Sequence, residues 1–462
     1  MIRSLLAFLL AAAAVPAAAQ TIAITNGTVA TGDGSGPIQG ATVVIRDGRI
    51  VAAGTGARVP AGARMIDANG KWVTPGIVAG FSRLGLSEVD LGAEGSDDQQ
   101  ANSGPFSAAI DVAPAINPHY TPVEVNRADG VTRAVVAPVA PRSIFAGQGA
   151  VIDTGVDFSP ITKARAFQYV ELGETGAGKA GGSRPSAHVL FRNALREASE
   201  LGRFDRGVQS SGAERQDVRL RPVIRNPNEA RSYSPDARRS QDVLLTRFDA
   251  AALVPVLQGR QQLLVHVERA MDILQVLNLR REFPSLKVVI VGASEGWLVA
   301  RELAEAGVPV IASGVKDLPS SFEQRAATQS NIGRMRAAGV RVAMGMIEED
   351  ETRNLFNQRQ YAGNLVALTK VPGATGLSWG QALALITSAP AEIMGMGAEI
   401  GSLAPGRRAD VVIWSGDPLD PRSAAEAVFI DGVEQPLTNH QTRLRDRYRH
   451  LPRRDLPEAY RH

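Results

Sequence analysis

Between Gln262 and Met346 short apolar runs alternate with amphipathic ones, and this alternation restricts the fold more than any other feature of the chain. "QLLVHVE" (262–268), "KVVIVGA" (287–293), "VPVIAS" and "VRVAMGM" (340–346) have the length and β-branched content of buried strands. "RAMDILQVLNLRREF" and "EGWLVARELAEAG" lie between them with helical periodicity, the second stopping at Gly307. Strand and helix at such short intervals indicate parallel βα units. Counted back to "GVTRAVVAPV", there is room for an α/β fold built on a (β/α)₈ TIM-like barrel, which takes roughly 250 residues.

The two ends of the chain read differently. "ATVVIRDGRIVAAG" contains two strand-like runs joined by Asp47-Gly48, a pair that a type I′ hairpin turn prefers, and "AVFIDGVEQ" repeats the device at Asp431-Gly432. "RADVVIWSGDP" adds a further strand just before the second hairpin. Residues 21–75 and 400–437 are therefore expected to build one small composite β-sandwich, with the barrel over 76–399. The Gly-, Ser-, Arg- and Pro-rich region near 171–240 reads as a loop-rich insertion on the barrel.

Composition narrows the function classes. "MIRSLLAFLLAAAAVPAAAQ" has one basic residue, an apolar run and small residues at Ala17 and Ala19, the pattern of a signal peptide over residues 1–20. The expected location is therefore exported, periplasmic or extracellular. No later stretch is apolar enough for a transmembrane segment. With no Cys, disulfides, thiolate nucleophiles and thiolate metal sites are excluded. The net charge of +3 is local: seven Arg and three acids from Thr438 onward give the 438–462 tail +4, leaving −1 elsewhere. A basic tail without a folded basic face argues against nucleic acid as a partner.

"VVIRDGRIVAAG", "IDANGKWVTPGIV" and the long run from Arg353 to Asp420 resemble the amidohydrolase superfamily, in particular its imidazolonepropionase-like branch. "IGSLAPGRRADVVIWSGDP" (400–418) is the most specific piece. The resemblance implies a (β/α)₈ barrel with a composite β-sandwich, hydrolysing C–N bonds with one or two divalent metals such as zinc. It also implies where the metal ligands belong. The family's first motif places Asp two positions before His-x-His after a Pro-Gly; aligned on Thr74-Pro75-Gly76, this chain has Ala79, Phe81 and Arg83. The fifth-strand His is kept at His266, the sixth-strand His falls at Gly292, and the eighth-strand Asp falls at Ile347. The fourth-strand ligand is not placed. Phe offers no lone pair and Arg is a permanent cation.

Catalytic zinc takes about three protein ligands and an open position, so a lone His266 points to loss of the binuclear site. One expectation is a divergent member without cofactor, a pseudoenzyme acting as a small-molecule-binding protein or as partner of an active relative. Assembly with itself or with an active paralogue goes with that reading. The alternative is an active hydrolase of non-peptide or cyclic amide C–N bonds, with a mononuclear or rearranged site using His266 and acids from 348–351. Arg83 sets a fixed positive charge where the family has a dication. Its expected partner is Glu88, Asp90, an acid of 348–351, or the carboxylate of a bound small molecule.

Other chemistries are weaker. "GETGAGKA" (173–180) approaches a phosphate-binding loop, but Ala180 lacks the hydroxyl that meets Mg²⁺, and a Gly-rich linker is the simpler expectation. Ser294 in "VGASEGW" lacks the spacing of a nucleophile elbow.

Overall fold

The computed structural model describes residues 21–89, 97–210, 244–314, 316–348 and 351–449. The expected signal peptide, Asp90, Glu349, Asp350 and the end of the basic tail lie outside the described residues. Along the chain the strands are β1 (Ile22–Val29), β2 (Ile38–Arg46), β3 (Arg49–Gly54), β4 (Arg64–Asp67), β5 (Trp72–Pro75), β6 (Ile77–Ser82), β7 (Val131–Val136) and β8 (Phe145–Asp153). They continue with β9 (Ile161–Glu171), β10 (Gln262–Val267), β11 (Lys287–Gly292), β12 (Val310–Ala312), β13 (Val342–Met344), β14 (Val411–Trp414), β15 (Ala425–Ile430) and β16 (Val433–Gln435).

Strands β6 to β13 follow one another in a single eight-stranded sheet, the TIM-like barrel. The ends meet where Met346 N–H donates to the Phe81 carbonyl at 3.0 Å. Gly80 permits that approach, because a Cβ there would lie 2.5 Å from the Met344 carbonyl oxygen. The barrel is not uniformly parallel. β8 runs antiparallel to both β7 and β9, so no crossover helix serves this strand and its end, Asp153, points to the opposite face.

The second eight-stranded sheet has the order β16-β15-β14-β5-β1-β2-β3, with β4 also on β1, and draws on both ends of the chain. Its two hairpin turns hold positive φ at both central residues, 52° and 70° at Asp47-Gly48 and 52° and 76° at Asp431-Gly432. That is the type I′ geometry, in which a left-handed Gly carries no Cβ penalty.

The 171–240 region departs from the loop-rich expectation where it is described. Gly173–Lys179 and Arg184–Ser210 are helices. Ala187, Phe191, Ala194, Leu195 and Ala198 are buried at helical spacing, so an amphipathic stripe prevails over a Gly- and Arg-rich composition. Gly173–Lys179 is neither the linker nor the phosphate loop considered above.

Inside the barrel, Phe81, Phe167, Tyr169, Leu264, Val289, Val291, Ile311 and Ala343 form a buried apolar cluster. Ile393, Met394, Met396 and Ile400 join it, and the Gln262 side chain at the start of β10 bonds the Ile393 carbonyl. That end is plugged, leaving the carboxyl ends of the strands as the mouth. At the other interface Arg133 of β7 is fully buried against Asp410 (2.8 Å), Asp431 (2.9 Å) and Asp153 (3.3 Å). One guanidinium thus ties the barrel to the second sheet. Burial opposes its charge, but Asp410 above all keeps its pKa raised.

Candidate functional site

The mouth is organised by where three strands stop. β9 ends in Glu171, which stands opposite His266 in the parallel register of β10. Side chains two apart on an extended segment share a face, so Glu268 returns to the same region as His266. His266 donates from Nδ1 to Glu171 Oε2 at 2.7 Å and from Nε2 to Glu268 Oε1 at 3.0 Å. Tyr169 Oη donates to the other Glu171 oxygen at 2.6 Å. Ser294 donates to the second Glu268 oxygen from its backbone N–H (2.8 Å) and from Oγ (2.7 Å). Tyr169, Glu171, His266, Glu268 and Ser294 thus form one continuous chain of hydrogen bonds.

The turn after β11 is shaped for this chain. Gly292 and Ala293 both have left-handed φ, 92° and 55°, and the Ala conformation is strained. It is held by Asn331, whose Nδ2 donates to the Ala293 carbonyl at 2.9 Å. A Cβ on Gly292 would lie 2.5 Å from Glu268 Oε1 and 2.9 Å from His266 Cδ2. The carboxylate occupies the space in which a side chain at this position would begin.

Burial opposes ionisation of all three central groups, and their pairing outweighs it. Burial pulls the His266 imidazole down, yet Glu171 and Glu268 hold it well above 6.5. Burial would raise both carboxyls, yet His266 holds Glu171 and Glu268 below the ordinary 4.5. Burial, and then Glu171, raises the Tyr169 hydroxyl, which stays a donor. The centre is an imidazolium between two carboxylates.

Phe81 and Ile347 belong to the apolar cluster directly under this chain, with the Phe81 and Tyr169 rings 5.2 Å apart. The Arg83 guanidinium lies 5.9 Å from the Phe81 ring centroid and acts electrostatically on Glu171. Of the positions singled out as replaced ligands, Gly292 lies against His266 and Glu268, Phe81 packs on Tyr169, Arg83 acts on Glu171, and Ile347 shares the apolar cluster of Phe81. Of the carboxylates expected to pair with Arg83, the described ones have other partners, while Asp90, Glu349 and Asp350 lie outside the described residues. Glu88 accepts from Thr121 N–H (2.7 Å) and Oγ1 (2.5 Å), Glu348 pairs with Lys316 (2.7 Å), and Glu351 accepts from Tyr361 (2.6 Å).

These residues do not meet the needs of a catalytic metal as they are arranged. Both His266 nitrogens carry carboxylate partners, on diverging edges of the ring, so no ring lone pair faces a point shared with the carboxylates. Among the described residues no group of three or more His, Asp or Glu side chains is arranged to hold a metal ion. Sequence reasoning missed Glu171 and Glu268. The signal was a charged residue closing each apolar strand run, in "FQYVEL" and "LLVHVE".

A barrel with its mouth at the strand ends and a second sheet from both chain ends defines a class: the chain has the fold of the amidohydrolase superfamily and is similar in sequence to its imidazolonepropionase-like branch. The Amidohydrolase family pattern matches residues 300–434. The imidazolonepropionase of Acidiphilium cryptum (strain JF-5) is 25% identical over 401 residues, 84% of this chain and 90% of that protein. The amidohydrolase tasK of Hapsidospora irregularis is 27% identical over 404 residues, which are 82% of this chain and 38% of tasK, so the chain spans well under half of that relative. An amidohydrolase from Thermotoga maritima MSB8 superposes with a TM-score of 0.75 at 25% identity, over 89% of this chain and 99% of that one.

Proposed function

We propose that this chain is an exported amidohydrolase-fold protein in which a protein-borne charge cluster takes the place of the metal centre. It works as a small-molecule-binding protein, alone or as the non-catalytic partner of an active relative. The observation that carries this reading is the double carboxylate clamp on His266. With both ring nitrogens donating, the imidazolium supplies the positive charge that a dication supplies elsewhere in the family, and Arg83 supplies a second. Elemental analysis of the purified chain, dialysed without chelator, is expected to give well under one equivalent of zinc or any other divalent metal. One tightly held metal per chain would overturn the reading.

A second reading is a metal-dependent hydrolase of C–N bonds with a rearranged mononuclear site. What favours it is the supply of three donor side chains, Glu171, His266 and Glu268, on neighbouring strand ends, together with relatives named as hydrolases. The metal analysis separates the two. Export rests on the composition of residues 1–20. Mass spectrometry of the chain recovered from its native host is expected to find a mature N-terminus beside Gln20, and a chain that retains Met1 would refute it.

A further inference from the structure

We infer that the barrel mouth binds a small monocarboxylate whose anionic head is taken by the Arg83 guanidinium; this rests on the metal-free reading above. Arg83 is 8% exposed, and its Nε is buried without a hydrogen-bond partner. Its backbone is fixed, the N–H donating to the Thr352 carbonyl at 3.0 Å, and the Phe81 ring flanks the guanidinium. A buried guanidinium N–H without an acceptor is costly, and such groups are ordinarily paired. Every described acid considered as its partner is committed elsewhere: Glu88 to Thr121, Glu348 to Lys316, Glu351 to Tyr361. Glu171 accepts from Tyr169 and His266 on its two oxygens and influences Arg83 only through space. Glu323, further along the rim, is paired with Arg184 at 2.8 Å. Among the described residues no acid makes an ion pair with Arg83, and a ligand carboxylate is the acceptor that fits it.

Charge fixes the class of that ligand. Glu171, His266 and Glu268 together carry −1, and Arg83 brings the mouth to zero. A monoanion adds one negative charge beside carboxylates that have no free donor to share. A dianion such as phosphate adds two, against the same carboxylates and with one guanidinium to hold it. The planar fork of Arg also matches the two oxygens of a carboxylate.

The test uses the full mature chain, with metal content measured on the same preparation. Propionate and phenylacetate are expected to raise Tm dose-dependently and to give heats of binding in calorimetry. Propionamide is expected to do neither, and inorganic phosphate to bind more weakly than either carboxylate. Arg83→Met is expected to raise the Tm of the unliganded protein, since an apolar side chain of similar volume removes a buried charge. It is also expected to abolish the carboxylate shift. Arg83→Lys keeps the charge but loses the fork, so affinity falls by about ten- to a hundredfold; this variant carries the test if Arg83→Met does not fold. Equal carboxylate binding by wild type and Arg83 variants, tighter binding of phosphate, or no binding by wild type each overturns the inference. One metal per chain refutes the metal-free reading whatever the anions do. A metal-free protein without an Arg83-dependent shift refutes this inference alone.

Discussion

His266→Leu is expected to destabilise the folded protein by about 3–5 kcal/mol near neutral pH, because it leaves two buried carboxylates without their shared cation. Glu171 and Glu268 are both buried, so neither turns to water for compensation. The pH dependence identifies the cause. In wild type the raised pKa of His266 contributes stability that is complete below 6.5 and is lost as pH climbs through the higher folded value. The lowered pKa values of Glu171 and Glu268 contribute stability present above 4.5 and lost as pH falls through the folded values. The cluster therefore contributes most between 4.5 and 6.5. In the variant both carboxyls take up protons readily, so its deficit should shrink in acid. Urea denaturation of both proteins across this pH range checks this, and a deficit that does not change with pH would remove the charge cluster as its origin.

Arg133→Leu is expected to cost a similar amount, about 3–5 kcal/mol, at the opposite interface. The guanidinium is fully buried, and Asp410 and Asp431 of the second sheet depend on it. Replacing Asp410 as well should recover part of the loss, since the double variant carries fewer buried charges, and a double variant worse than the single one would contradict this account. Asp153 makes the longest contact with Arg133, and burial raises its pKa from 3.8 to about 6. Its contribution therefore favours folding on the acid side and fades as pH rises from 3.8 through about 6. Acid should thus mitigate the loss of Arg133. Limited proteolysis across 400–437 would report whether the second sheet loosens first.

Much of the fold is legible because its signals are local. The Asp-Gly pairs specify type I′ turns, and the runs at 262–267 and 287–292 are too apolar and too short for anything except buried strands. The antiparallel placement of β8 is not legible. All nine of its residues are buried, so the run lacks the alternation that would separate an antiparallel strand from a parallel one. The helix at 184–210 is legible only by spacing, since its Arg and Ser content hides the stripe of Ala187, Phe191 and Leu195. At the site, comparison of motifs singles out positions 81, 83, 292 and 347, and nothing in such a comparison points to Glu171 and Glu268 beside His266. Glu171 and His266 are 95 residues apart and meet only through strand register, a property of the closed barrel.

The second sheet also sets a schedule for making the protein. β5 pairs with β14, and Trp414 Nε1 donates to Thr74 Oγ1 across 340 residues of chain. At a synthesis rate of about 5–20 residues per second, the ribosome needs roughly 20–70 s to deliver the partner strand. The reversed β8, by contrast, finds both neighbours within a short meander and can pair almost as soon as it emerges. Through that interval β5 presents an open edge of unpaired amides, the surface most prone to join the same edge of another nascent copy.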